Sequence, residues 1–158
     1  MKKQITDALT KGLLAGYGGK TDFTKLIRGG FELSASHFDD GDIIYHDEWT
    51  RNGGQEIVKV GEEIFTRVYA GGCLKKEELI KLGLEEKTVI EKLIGRIKES
   101  GDKTRLFENC IAKNKNDWDY EYKILDDDKD IGVITGKEII RYKNIVVFVH
   151  VFVLSPVK

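Results

Sequence analysis

Residues 42–60 read DIIYHDEWTRNGGQEIVKV, and this stretch decides the fold class. Between Ile43 and Trp49, every second residue shares one face of an extended chain, which is the pattern of a β-strand. Asn52-Gly53-Gly54 predicts a tight turn, and the segment from Gln55 to Val60 predicts the next strand. The stretch is therefore expected to form two neighbouring antiparallel strands.

The same pattern continues on both sides of this hairpin. Phe31 to Ser36 alternates apolar with polar residues, and Glu63 to Ala70 follows a predicted turn at Gly61-Glu62. Gln4 to Leu14 has its apolar residues at helical spacing and is expected to be an amphipathic helix. The first half of the chain should therefore be a helix followed by a four-stranded meander, which we expect Gly71-Gly72 to end.

The second half of the chain repeats this order. A short helix is expected from Glu77, interrupted at Gly83, and a longer helix is expected to end at Ser100-Gly101. Four strands are expected after it, at residues 105–112, 118–124, 133–142 and 145–154, with residues 126–130 in a loop.

Similar residues recur in the two halves. Asp42-x-x-Tyr45 has a counterpart in Asp119-x-x-Tyr122, and the segment from Gly54 to Lys59 has one at residues 136–141. We therefore predict a single α+β domain, residues 1–158, built from pseudo-repeats at about 1–74 and 75–158. Each pseudo-repeat would be a helix plus a four-stranded antiparallel meander, with the sheet or sheets packed on two helices.

Composition narrows the classes of function. The 158 residues contain 26 Lys and Arg against 27 Asp and Glu, so the basic surplus typical of nucleic-acid binders is missing. The two cysteines, Cys73 and Cys110, lack metal-ligand spacing, and neither a metal nor a cofactor is expected. The run from Ile145 to Leu154 is too short for a transmembrane helix of about 20 residues. With no apolar signal core at the N-terminus, we expect a cytoplasmic protein without a membrane partner.

Gly16-Tyr17-Gly18-Gly19, Asp42-x-x-Tyr45-x-Asp47 and Gly54-x-Glu56-x-Val58, followed by Gly61, Phe65 and Tyr69-x-Gly71, carry a resemblance. They resemble a small α+β family of bacteria and archaea whose function is unknown. Its members stand alone or follow a helix-turn-helix in regulators. This chain differs from the family in ending with Leu154-Ser155-Pro156 in place of a glycine-rich finish. The resemblance implies the fold and a link to regulation, and no activity.

Three polar features favour ordinary structural interpretations. The acidic stretches at residues 39–42 and 126–130 lack the ligand spacing of a calcium loop and are expected to be solvated turns. The glycines at 16–19 follow a helix, whereas a phosphate-binding loop precedes one. His150 lies in an apolar run, so we expect a core histidine with a hydrogen-bond partner rather than a catalytic base.

Three carboxylates are less ordinary, because Asp47, Glu56 and Glu138 share strand faces with apolar residues. If these faces line a concavity, burial would raise the pKa values of the three carboxylates, which could then bind a ligand or donate a proton. The structural alternative, which we favour, is that each pairs with Arg67 or Arg141 or turns to solvent. On the functional hypothesis, Glu56→Gln and Glu138→Gln should abolish ligand binding with little loss of stability.

Two functions remain open. The first, which we expect, is a non-enzymatic module that binds a small molecule or a protein partner, with a regulatory role. Its candidate ligand-binding residues are Tyr45, Asp47, Trp49, Glu56, Tyr69, Tyr122 and Glu138. The alternative is an acid–base enzyme, hydrolase-like, that uses Asp47, Glu56 and Glu138. A homodimer formed through the apolar last strand is a further prediction.

Overall fold

The structure is a computed structural model that describes residues 2–16, 23–100, 109–113 and 116–157. These residues form three helices, α1 (Lys2–Ala15), α2 (Lys76–Lys81) and α3 (Glu86–Ser100). They also form nine strands: β1 (Thr24–Arg28), β2 (Phe31–Asp39), β3 (Ile43–Thr50), β4 (Gly53–Val60), β5 (Glu63–Cys73), β6 (Cys110–Lys113), β7 (Trp118–Asp128), β8 (Val133–Tyr142) and β9 (Ile145–Val157). The predicted α+β class is confirmed.

All nine strands belong to one antiparallel sheet in the order β1-β2-β3-β4-β5-β9-β8-β7-β6. Two meanders therefore meet at their last strands, where β5 pairs with β9 from Ile64↔Val157 to Cys73↔Phe148. The prediction of two repeats with four strands each is not confirmed, because the first meander has five strands and the second has four.

The strand missing from the sequence prediction is β1, an edge strand that pairs only with β2. Four of its five residues are exposed, so Thr24–Arg28 shows no alternation of apolar and polar residues. Gly29 and Gly30, both with positive φ, make the turn into β2.

Gly71 and Gly72 do not end the meander as predicted, because β5 continues through them to Cys73. Gly71 has φ +148° and passes so close to β9 that a Cβ atom there would overlap the carbonyl of Val149. Gly71 thus allows β5 and β9 to approach closely, and neither glycine forms a turn.

Two predicted boundaries in the second half are also corrected. Asp126–Asp128 belong to β7 rather than to a loop, and they follow an irregularity in the pairing after Ile124. The turn comes after Asp128, whose carboxylate accepts hydrogen bonds from the backbone N–H groups of Asp130 and Ile131. The strand predicted at 105–112 is Cys110–Lys113 in the structure; residues 105–108 lie outside the described residues, as do Gly18 and Gly19.

The core lies between one face of the sheet and the helices. Leu9 and Leu13 of α1 and Leu93 of α3 are buried in the same cluster as Tyr45 and Phe152 from the sheet. Tyr120 and Tyr122, two residues apart on β7, also face this core and have no exposed area. No described helix has the length and apolar character that crossing a membrane would need.

The apolar last strand, β9, lies in the middle of the sheet. It pairs with β5 on one side and with β8 on the other. Edge-to-edge pairing of this strand with a second copy is therefore excluded, and a homodimer packed through its outer face stays a prediction.

Candidate functional site

A cavity of about 430 Å³ lies between the sheet and helices α1 and α3. Its walls include Ser34 on β2 and Glu138 on β8, which are five strand spacings apart in the sheet. Because neighbouring strands lie about 4.8 Å apart, these positions would be roughly 24 Å apart in a flat sheet. The sheet therefore curves around the cavity, whose volume is within the range of small-molecule sites.

A buried ion pair stands at one side of the cavity. Arg67 on β5 donates a 2.6 Å hydrogen bond to Oε2 of Glu56 on β4, and Tyr45 on β3 donates a 2.7 Å hydrogen bond to Oε1. All three side chains are at most 4% exposed. Arg67 lines the cavity, whereas Glu56 does not. The prediction that Glu56 pairs with Arg67 is confirmed, and this carboxylate is compensated within the protein.

Asp47 lies beside this pair as the cross-strand partner of Glu56. It accepts hydrogen bonds from the Tyr69 hydroxyl at 3.1 Å and 3.3 Å, and both residues line the cavity. Burial, and next to it the negative charges of Asp47 and Glu56, raise the pKa of Tyr69 well above its ordinary value. The Tyr69 hydroxyl therefore keeps its proton and acts as a hydrogen-bond donor.

Glu138 stands on the other side of the cavity. It is 5% exposed, and the Tyr120 hydroxyl donates a 2.6 Å hydrogen bond to its Oε1 atom. Its cross-strand partner on β9 is His150, which also lines the cavity. Arg141, one of the two arginines predicted as partners for the three carboxylates, instead binds Glu121 at 2.8 Å.

The two glutamates have equivalent surroundings in the strand register. Glu56 is opposite Arg67, just as Glu138 is opposite His150. The residue two positions after each glutamate is also equivalent: Val58 is opposite Tyr45, and Ile140 is opposite Tyr120. The structural counterpart of Tyr45 is thus Tyr120, which corrects the sequence alignment that matched Tyr45 with Tyr122.

Glycines opposite aromatic residues complete this correspondence. Gly54 is opposite Tyr69, and Gly136 is opposite Phe152. A Cβ atom at either glycine would overlap the aromatic side chain opposite or its neighbours. The ring of Phe152 also packs against Arg67, whose guanidinium carbon lies 4.7 Å from the ring centre.

The cavity wall also carries an aromatic group centred on His150. Its imidazole lies 5.3 Å from the ring of Tyr69 and 4.4 Å from the ring of Phe148. Trp49 lines the same cavity from β3. His150 is half-buried here rather than enclosed in the core, so the sequence interpretation of a core histidine missed its place in the wall.

Ion pairs and a thiol lie near the solvent. Lys25 binds Glu32 at 2.9 Å, and Arg51 donates hydrogen bonds from Nε and Nη2 to the two carboxylate oxygens of Glu86. Cys73 lines the cavity close to the second pair, and burial, together with the charge of Glu86, raises the pKa of its thiol to about 11. The thiol is therefore a poor nucleophile at neutral pH.

The structure brings together part of the predicted site. Four of the seven predicted residues line the cavity: Asp47, Trp49, Tyr69 and Glu138. The other three, Tyr45, Glu56 and Tyr122, are almost completely buried and stand outside its wall. Sequence reasoning missed Arg67, His150 and Cys73 as wall residues. Their strand parity was readable, but their convergence depends on the pairing of β5 with β9, which local patterns do not encode.

The described residues contain no group of three or more His, Cys, Asp or Glu side chains placed to hold a metal ion. The arrangement instead offers a curved aromatic wall, hydrogen-bond donors and carboxylates. Comparisons with protein-family models, with curated proteins and with solved structures found no match to this chain.

Proposed function

We propose that this protein is a non-enzymatic module that binds a small molecule in the cavity between the sheet and helices α1 and α3. The observation that carries the proposal is the combination of a 430 Å³ cavity with an aromatic wall and a few buried polar groups. Small-molecule sites typically have this composition, with mostly apolar walls and a small number of polar groups that orient the ligand.

The state of the polar groups supports binding over catalysis. Glu56 is held in an ion pair with Arg67, and the raised pKa of Tyr69 keeps its hydroxyl protonated. Cys73 also has a raised pKa and is a weak nucleophile. These groups can accept or donate fixed hydrogen bonds, but they are poorly suited to exchange protons or attack a substrate near neutral pH.

The correspondence between the two halves supports the predicted duplication. In the first half, Glu56 is held by Tyr45 and Arg67 and does not line the cavity, whereas in the second half Glu138 and the opposite residue, His150, both line it. One unit stabilises the sheet and the other supplies the ligand site. The resemblance to domains that follow a helix-turn-helix adds a regulatory role to the proposal.

A thermal-shift screen against metabolites, nucleotides and divalent ions tests the proposal. A ligand at 100 times its dissociation constant stabilises a protein by about 2.7 kcal/mol, which is a shift of several degrees. Every hit should be weakened by Ser34→Phe, which narrows the cavity, and unaffected by Gln55→Phe on an exposed position outside its wall. Hits that survive Ser34→Phe, or no hit across the panel, would contradict a ligand site in this cavity.

The second candidate, an acid–base enzyme, is favoured by one observation. His150 and Glu138 are cross-strand partners in the cavity wall, and a histidine beside a carboxylate can act as a general base. If the protein is such an enzyme, a hit from the screen should be converted to a product during incubation, and His150→Gln should abolish the conversion while the ligand still binds. A hit recovered unchanged by mass spectrometry argues for the binding module.

A further inference from the structure

We propose that two copies of this protein pack face to face through the outer face of the sheet, which is turned away from the helices. The contact is centred on an apolar patch of the central strands, called the outer patch here: Ile57 on β4, Val68 and Ala70 on β5, and Val151 and Val153 on β9. This inference goes beyond ligand binding, because the cavity lies between the opposite face of the sheet and the helices.

The outer patch is exposed to solvent. Its four larger residues are between 40% and 50% exposed, and Ala70 is exposed as well. The three described helices bury their apolar residues in one cluster with the inner face of the sheet, and that cluster contains no residue of the outer patch. The described fold therefore covers the central strands on one face only.

Strand β9 has the composition of a strand that is covered on both faces. Phe152 and Leu154 are buried on its inner face, and Val151 and Val153 alternate with them on its outer face. An antiparallel strand with one solvated face normally alternates apolar with polar residues, whereas a strand covered on both faces is a continuous apolar run. A second sheet packed on the outer face would provide the missing cover.

The register of the sheet makes the outer patch two-fold symmetric. Tyr69 and Phe152 are equivalent in the two halves, since each is opposite a glycine of the neighbouring strand. They are also paired with each other across β5 and β9. A pseudo-two-fold axis perpendicular to the sheet therefore passes between them. The residues that it exchanges are their neighbours on the outer face, Val68 with Val151 and Ala70 with Val153.

This symmetry favours a second copy as the occupant of the outer face. In a two-fold dimer both subunits use the same surface, so every contact between two different residues occurs twice. The pseudo-two-fold of the patch repeats each contact once more when the dimer axis crosses it. Because an unrelated partner lacks this repetition, the same small set of valines contributes more to a contact between copies.

Charge also agrees with a contact between two copies. The chain has a formal net charge of −1, so long-range repulsion between copies is weak. Around the outer patch, only Lys137 among the cross-strand neighbours is charged when histidine is neutral. These neighbours are His46, Gly53, Gln55, Thr66, Thr135 and Lys137. An apolar centre with a mostly uncharged polar border suits a second apolar face better than a strongly charged partner.

The size of the contact predicts a weak dimer. Four central strands span about 19 Å across the sheet and about 26 Å along eight residues, which is about 500 Å² per copy. The total of about 1,000 Å² is at the lower limit for a specific interface. Because the sheet curves around the cavity, its outer face is convex, and the outer strands add little to the contact. We therefore expect a dissociation constant in the micromolar range.

Analytical ultracentrifugation measures the association. The 17.9 kDa chain should shift from monomer towards a dimer of twice this mass as its concentration rises from about 1 µM to about 500 µM. Val68→Lys and Val151→Lys, at equivalent positions of the outer patch, should each weaken the dimer about tenfold or more. The control is Ile27→Lys, since Ile27 is 68% exposed on edge strand β1, outside the patch. A monomeric wild-type protein, or equal association of all three variants, would overturn the proposal.

Two further variants keep the test independent of any folding defect in the lysine variants. Threonine preserves the β-branched shape of valine, so Val68→Thr combined with Val151→Thr should fold and still weaken the dimer. In a background of Cys73→Ser and Cys110→Ser, Val68→Cys should be joined to its copy by a bismaleimide about 10 Å long, the usual distance between packed sheets. Ile27→Cys should not be joined. A dimer that is cross-linked through Ile27→Cys, or not through Val68→Cys, would place the contact elsewhere and overturn the proposal.

Discussion

Glu56 and Glu138 hold equivalent positions in the two halves of the sheet, and each accepts a hydrogen bond from a tyrosine on the preceding strand. They differ in the residue opposite, which is Arg67 in an ion pair for Glu56 and His150 for Glu138. They also differ in position, because Glu138 lines the cavity and Glu56 does not. The same local arrangement therefore encloses its glutamate in one half and brings it to the cavity wall in the other.

The first prediction separates these two roles by stability. Glu56→Gln should destabilise the protein by about 3–5 kcal/mol, because it leaves the Arg67 guanidinium buried without its counter-charge. Glu138→Gln should cost about 1 kcal/mol or less, because glutamine can still accept the hydrogen bond from Tyr120. Urea unfolding of the two variants measures the difference. The structure thereby changes the sequence expectation for Glu56, which was little loss of stability.

A double variant is the control for this comparison. Replacing Glu56 and Arg67 together, with Gln and Met, removes both charges and should be less destabilising than Glu56→Gln alone. Equal losses for Glu56→Gln and Glu138→Gln would show that the Glu56–Arg67 pair is not what makes the first unit structural.

The second prediction concerns two helical glycines. Gly12 of α1 lies against the Tyr45 ring, which a Cβ atom would overlap, while a Cβ atom at Gly95 of α3 would meet no atom within 4 Å. Gly12→Ala should therefore destabilise the protein by about 1–3 kcal/mol through overpacking. Gly95→Ala should stabilise it by about 0.5–1 kcal/mol, the usual gain from alanine in a helix interior.

Thermal unfolding of both variants checks the pair. Since the substitution is the same and both sites are helical, helix propensity alone predicts stabilisation at both positions. A stabilised Gly12→Ala protein would mean that Tyr45 can move aside, and that its hydrogen bond to Glu56 does not hold the ring in place.

The inner face of the sheet could be predicted from the sequence, but the residues of the cavity wall could be predicted only in part. Alternation placed Asp47 with Tyr45 and Glu56 with Val58, and these side chains are buried together. Arg67 and His150 meet in one cavity only because β5 pairs with β9, which lies some 80 positions further along the chain. Local periodicity carries the face of each residue but no information on which distant strand lies beside it.

One strand was missed and one strand end was predicted wrongly, both for local physical reasons. Edge strand β1 is exposed on both faces, so it needs no apolar alternation and shows none. Gly71 looks like a turn residue, yet its freedom of conformation serves the close approach of β5 to β9.

The third prediction concerns pH and the edge of the sheet. Arg28 on β1 reaches across β2 to bind Glu48 on β3 at 2.9 Å. This hydrogen bond, followed by one from His46, lowers the pKa of Glu48 from 4.5 to about 2. Because the folded pKa lies below the unfolded one, the stabilisation is complete above about pH 4.5 and is lost as the pH falls towards 2. Detachment of β1 should therefore increase over this range.

Carboxyl titration by NMR measures this effect at Glu48. In Arg28→Gln the pKa of Glu48 should move back towards 4.5, whereas Lys25→Gln, which breaks the pair between β1 and Glu32 on β2, should leave it low. A pKa near 4.5 for Glu48 in the wild-type protein would show that the contact with Arg28 does not hold β1 to the sheet.

The fourth prediction uses Cys73 as a reporter inside the cavity wall. Its thiol has a pKa of about 11, so at pH 8 only about one molecule in a thousand carries the reactive thiolate. In a Cys110→Ser background, alkylation by iodoacetamide should be slow at pH 8 and still accelerate above pH 10. Glu86→Gln should speed the reaction, because the charge of Glu86 raises this pKa.

Ligand occupancy should slow the same reaction, since Cys73 lines the cavity and Cys110 does not. Mass spectrometry of the alkylated wild-type protein, in which both cysteines are present, gives the protection factor for each thiol with and without a compound found in the screen. Protection of Cys73 with unchanged labelling of Cys110 would place the compound in the cavity. Equal protection of both thiols would point to a general tightening of the fold, because a ligand in the cavity contacts only the first of them.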